Sequence, residues 1–125
     1  MQIQEYKVLL LGEKKTGKTK FLKKLNDTYR LTNNYIPTMG VSVEAIDISH
    51  NGNKIRLNIW DTAGDSRFLG LKDKYYIGTE LAIIFGNSLN YEEKLPNDIK
   101  KFHINHPEYT IQEYKDIIYN TLINN

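Results

Sequence analysis

The residues that most constrain this chain are Gly12-Glu13-Lys14-Lys15-Thr16-Gly17-Lys18-Thr19, which fit the spacing G-x-x-x-x-G-K-[ST] without a gap. The apolar run Val8-Leu9-Leu10-Leu11 stops at Gly12, as a strand buried on both faces would. A helix follows from Lys18 to about Asp27, with Phe21, Leu22 and Leu25 on one face. A loop of this spacing between a strand and a helix turns successive backbone N–H groups, and the helix N-terminus, toward a phosphate. Gly12, Lys14, Lys15, Thr16 and Gly17 would form that cradle. Lys18 would reach the β- and γ-phosphates as a point charge, and the Thr19 hydroxyl would ligate Mg²⁺.

The rest of the chain reads as an alternation of strands and helices. A polar, turn-rich stretch spans Tyr29 to Thr38. Two strands then flank His50-Asn51-Gly52-Asn53, and Asn-Gly between strand patterns is a strong hairpin signal. Ile55, Leu57 and Ile59 alternate cleanly in the second strand. In the first, Val41, Val43 and Ala45 share one phase and Ile46 and Ile48 the other, which predicts a bulge near Ala45. A short helix through Tyr75 and Tyr76 precedes a buried strand, Leu81 to Phe85. Asn90 with Glu93 predicts a capped helix through Phe102. After Pro107, Thr110-x-x-Glu113 is a capping box opening a last helix, with Ile111, Tyr114, Ile118 and Leu122 on one face.

A second chemical motif, Asp61-Thr62-Ala63-Gly64, follows the strand ending at Trp60. A carboxylate at a strand end can hold a phosphate-bound Mg²⁺, and Gly64 would let its backbone N–H approach a γ-phosphate. Alone, such a stretch is more often an Asp-initiated turn; paired with the phosphate loop it gains weight.

With both motifs in hand, the sequence resembles the small GTPases of the Ras superfamily, and in wording the Ran branch. Tyr35-Ile36-Pro37-Thr38-Met39-Gly40-Val41 looks like the family's first switch, with Thr38 as its Mg²⁺-binding threonine. Asp61 begins the second switch as a further metal-site residue, and Gly70 to Ile77 is close to the segment that sets Ran apart from its Rab and Rho relatives. The resemblance runs from about Tyr6 to Phe102. It implies an α/β fold: a Ras-like, mostly parallel sheet with one antiparallel hairpin strand and flanking helices. That fold would be cut short after the fourth family strand, Leu81–Phe85, and the third family helix that follows it, leaving this strand at the sheet edge. Residues 1–106 would form the domain, and 107–125 a tail helix covering the edge.

The chain departs from the family where base and water are handled. Neither Asn-Lys-x-Asp nor Ser-Ala-Lys, which specify guanine in the family, occurs. Lys15 stands where the family often has a glycine at positive φ, and Lys14 where a small residue leaves room for an arginine finger. Asp65 replaces the catalytic glutamine that positions the attacking water. Facing a γ-phosphate, its carboxylate would meet a repulsion of roughly 4 kcal/mol for unit charges about 4 Å apart at an effective dielectric near 20.

Several features have plain readings. The net charge of +2 argues for neither nucleic acid nor membrane as a partner, and the basic residues around Lys14 to Lys24 lack interleaved aromatics. The absence of cysteine suits a reducing compartment, and no lipidation cysteine ends the chain. The expected location is cytoplasmic or nuclear. His103 and His106 lack an acidic or cysteine partner for a metal, and His50 beside the turn is expected to face solvent.

Two functions from different classes follow. One is a non-enzymatic mimic with weak or no GTP binding, whose switch-like surfaces engage Ran-binding proteins such as transport receptors or the exchange factor. The other is a slow nucleotidase using Mg²⁺ and GTP/GDP, or ATP, with relaxed base specificity. The first is favoured because base recognition and water positioning are altered together. A remnant domain with an unrelated partner is a third reading. A monomer is favoured over a homodimer because the tail can cover the edge.

Overall fold

In the computed structural model the described residues are 3–11, 18–25, 32–36, 41–61, 77–85, 95, 97–104 and 109–123. Six strands are built from them: β1 (Gln4–Leu11), β2 (Thr32–Ile36), β3 (Val41–His50), β4 (Asn53–Asp61), β5 (Thr79–Phe85) and β6 (Lys100–Ile104). Two helices join them, α1 (Lys18–Leu25) and α2 (Ile111–Ile123). The strands form one sheet in the order β2-β3-β4-β1-β5-β6. β1 lies parallel to both β4 and β5, and β6 is parallel to β5. β2 and β3, and β3 and β4, pair antiparallel. The expected α/β architecture, mostly parallel with an antiparallel hairpin, is therefore present.

Period-two alternation decides what each face buries. One face carries Val8, Leu10, Ile46, Ile48, Leu57, Ile59, Leu81 and Ile83, all at 0 % exposure. α1 lays Phe21, Leu22 and Leu25 on it, and α2 adds Tyr114, Ile118 and Leu122. Phe21 joins the two helices to the sheet, with its ring edge-on to Phe85 at 5.2 Å and to Tyr114 at 5.3 Å. The other face buries Leu9, Leu11, Ala82 and Ile84, so the sheet's centre is covered on both sides. That is why β1 and β5 read as unbroken apolar runs.

The hairpin turn at Asn51-Gly52 has positive φ at both residues, 50° and 82°, as a type I′ turn needs. No bulge interrupts β3: its register with β4 runs unbroken from Ser42↔Asp61 to His50↔Asn53. The change of phase arises because the strand has two partly covered faces. Ile46 and Ile48 point to the helices, while Val43 and Ala45 are half-buried on the other side, where Trp60 also lies.

Three further expectations are corrected. The stretch expected to be turn-rich contains β2, which forms because β3 would otherwise present an open edge. Lys100–Phe102 are strand rather than helix: they begin β6, whose register with β5 runs from Leu81↔Lys100 to Phe85↔Ile104. Consequently β5 is not the sheet edge, and α2 does not cover that edge. It packs on the sheet face beside α1 and β3. The outer strand β6 is short and carries Lys100, Lys101 and His103, features that discourage further pairing.

The capping box at the start of α2 is formed in both directions. Glu113 N–H donates to Thr110 Oγ1 at 3.2 Å, and Thr110 N–H donates to Glu113 Oε1 at 3.0 Å. Toward the other end, the Lys100 ammonium donates to the Thr121 carbonyl at 2.6 Å, suiting the negative end of the helix dipole.

His50 does not face solvent; its side chain is 19 % exposed and anchors α2 to the hairpin. It stacks on Tyr119 at 4.6 Å. Its Nδ1, facing the Asp116 carboxylate at 2.8 Å, is the donor, and Nε2 then accepts from Asn51 Nδ2 at 3.2 Å. Hydrogen bonds from His50 and from Gln112 hold the Asp116 carboxyl below its ordinary value. A depressed carboxyl contributes stability that is complete above its unfolded pKa of about 4 and is lost as pH falls below it. Asp116→Asn should therefore lower Tm at pH 6 and narrow the difference between melts at pH 6 and pH 3. An unchanged acid limb in thermal melts would contradict the latch.

Candidate functional site

The parallel arrangement of β4, β1 and β5 brings three strand ends together. Leu10 is paired with Asp61 across β1 and β4, and Leu11 with Ile84 across β1 and β5. In open α/β sheets, ligands bind outside such carboxyl ends. β1 ends here at Leu11 and α1 starts at Lys18, so the phosphate-loop sequence falls between a central strand and a helix start. No acidic residue lies in the first turn of α1, which leaves the positive end of its dipole unopposed from within the helix.

Of the predicted site residues, Lys18 and Thr19 form the first turn of α1, and Asp61 is the half-buried last residue of β4. Register alone thus brings Asp61 beside the strand that feeds the loop. Gly12, Lys14, Lys15, Thr16, Gly17, Thr38, Gly64 and Asp65 lie outside the described residues. Thr38 lies in the short connection between β2 and β3, and Gly64 and Asp65 follow β4 directly in sequence.

Sequence reasoning missed Glu44. It sits on β3 in the same phase as Ile46 and Ile48, opposite Ile59, so a half-buried carboxylate is placed near the helix side of the sheet. Burial raises its pKa first, the nearby Asp61 charge raises it further, and Lys23 of α1 opposes both. The signal available in the sequence was a lone charge in the apolar phase of a strand. Asp61 and Glu44 thus form an acidic pair faced by Lys23, which lies in the last turn of α1. A hard divalent cation such as Mg²⁺ prefers carboxylate oxygens of the kind these two residues offer. When bound, the ion would neutralise charge on the phosphate oxygens.

On the opposite face, the Lys7 ammonium lies 3.9 Å from the centre of the Trp60 ring and donates to the Ile77 carbonyl at 2.9 Å. Burial lowers its pKa. His103 lies exposed on β6, and no group of metal-ligating side chains occurs among the described residues. No helix among them is long and apolar enough to cross a membrane.

Comparison with protein families agrees with this arrangement. The model of Roc, described as the Ras of Complex domain of DAPkinase, matches residues 7–118, from β1 into α2. With a phosphate-loop sequence between β1 and α1, Asp61 at the end of the neighbouring strand, and a family match over most of its length, the chain belongs to the Roc family of Ras-like GTPase domains.

Proposed function

We propose that this domain is a binding module acting through its switch-like surfaces, with weak Mg²⁺-nucleotide binding and no appreciable turnover. The observation that supports this reading is that the Gly12–Thr19 sequence lies between β1 and α1, while Asp61 ends the strand paired with β1 at Leu10. Lys14, Lys15 and Asp65 argue against fast chemistry. Asp65 cannot position water as a glutamine amide does, and its charge opposes a γ-phosphate.

A second reading, slow hydrolysis of GTP or ATP, is favoured by the presence of β6. The tetrapeptide directly after that strand in sequence is Asn105-His106-Pro107-Glu108, where the Ras superfamily carries Asn-Lys-x-Asp. The asparagine and an acidic fourth residue are kept in type, while His replaces Lys and Glu is one methylene longer than Asp. Base selectivity would then be reduced rather than lost.

Calorimetry with GTP and ATP in the presence of Mg²⁺ tests both readings. The expected dissociation constants are micromolar or weaker, with GTP favoured by no more than about tenfold, or about 1.4 kcal/mol. Tight GTP binding with strong rejection of ATP would overturn the proposal. Multiple-turnover phosphate release would select the second reading.

The partner proposed is a protein that reads residues 35–41 together with 70–77, where the sequence keeps Ran-like wording. Ran-binding transport receptors or the exchange factor fit that description. Thr38→Ala and Leu71→Ala should each weaken capture of such a partner by about tenfold, as loss of one central contact does. Insensitivity to both changes would remove this surface from consideration.

A further inference from the structure

The Lys7 side chain touches the chain at two places far apart in sequence. Its ammonium sits over the ring of Trp60, the last residue before Asp61, and bonds to the carbonyl of Ile77. Trp60 and Ile77 bracket residues 61–76, which include Asp61, Gly64 and Asp65. Gly78, with φ of 75°, then turns the chain into β5, and Thr79 is the register partner of Lys7 itself. Lys7 lies on β1, four residues before the strand ends at Leu11 and the phosphate loop begins. One cation therefore meets both ends of this segment from the strand that leads into the loop.

We propose that Lys7 is a positioning residue that ties Trp60 near the end of β4 and Ile77 before β5 to β1, and so holds the two anchor points of residues 61–76. The contact geometry carries this on its own; its meaning for nucleotide rests on the reading given above. A half-buried ammonium needs its partners, since an ammonium taken from water must be compensated by a carbonyl and an aromatic face. No other side chain type offers one flexible cation that can satisfy both at once except arginine.

The test uses the full chain and does not require nucleotide. Arg67, Lys72 and Lys74 are tryptic sites inside the bracketed segment, whereas Lys20, Lys23 and Lys115 lie in the two helices. In Lys7→Met, cleavage at the three segment sites should accelerate by about tenfold relative to the helix sites, as expected when local opening no longer costs one charge-assisted contact. Lys7→Arg should keep the ratio within about twofold of the parent. Lys101→Met, which removes the same charge from β6, should leave the ratio unchanged. Should Lys7→Met fail to fold, Lys7→Gln removes the cation and is read by the same ratio.

Trp60 is the only tryptophan, so its emission and acrylamide quenching report the ring directly. Quenching should increase about twofold in Lys7→Met as the ring loses its cover. Equal acceleration at helix and segment sites, or no change at either, would overturn the clamp. A clamp that passes this test while calorimetry finds no nucleotide would leave the clamp standing and reject the nucleotide reading alone.

Discussion

Ending the chain after Pro107 should abolish cooperative unfolding. The deletion removes α2, whose Tyr114, Ile118 and Leu122 are 3 %, 1 % and 4 % exposed and belong to the same core as β1, β3, β4 and β5. Full burial of each large side chain is worth about 1.5–3 kcal/mol, so the three contribute on the order of 5–9 kcal/mol before ordering entropy. Total stabilities are about 5–15 kcal/mol, so the loss is of the same size as the whole. The deletion also exposes the rings of Phe21 and Phe102, which meet Tyr114 edge-on at 5.3 and 6.2 Å. Calorimetric melting and size-exclusion chromatography of the shortened chain should show no cooperative transition, and association. A milder change checks the mechanism: Ile118→Ala should cost about 2–5 kcal/mol through the cavity it leaves. A shortened chain that stays monomeric and melts as the parent does would refute this role for α2.

On the proposed reading, replacing Lys18 by alanine should lower nucleotide affinity by about tenfold to a hundredfold, because charge-assisted hydrogen bonds are worth about 1.5–3 kcal/mol. Lys18 is the first residue of α1 and directly follows Gly17 of the phosphate-loop sequence. The loss should be the same for GTP and ATP, since both present the same phosphates. The helix itself should survive, because alanine is the best helix former and no cap is removed. Circular dichroism and Tm therefore serve as controls for the calorimetric titration. Unchanged affinity would remove Lys18 from the phosphate site. A loss confined to one nucleotide would show that it reads the base side instead.

Two strands were hidden from sequence reasoning for the same physical reason. β2 is Thr-Asn-Asn-Tyr-Ile and β6 is Lys-Lys-Phe-His-Ile, both short and rich in polar residues. Neither has the local pattern of a buried strand. Each exists because a long central neighbour, β3 or β5, offers unpaired backbone groups that a passing segment satisfies. The helix expected through Phe102 rested on the capping pair Asn90 and Glu93, a local signal that the parallel pairing of Lys100–Ile104 with β5 overrides at its far end.

What the sequence determined by itself was whatever depends on neighbours along the chain. The apolar runs of β1 and β5, the Asn51-Gly52 turn, the Thr110–Glu113 capping box and the phosphate-loop spacing are set by local geometry and by period-two or helical burial. The tertiary structure alone decided the contacts between distant segments. It placed Asp61 beside Leu10, put Glu44 near Asp61 and Lys23, latched His50 to Asp116, and set Lys7 between Trp60 and Ile77. These depend on strand order and register, and a register is fixed only when the whole apolar face of a strand finds its partner across the sheet.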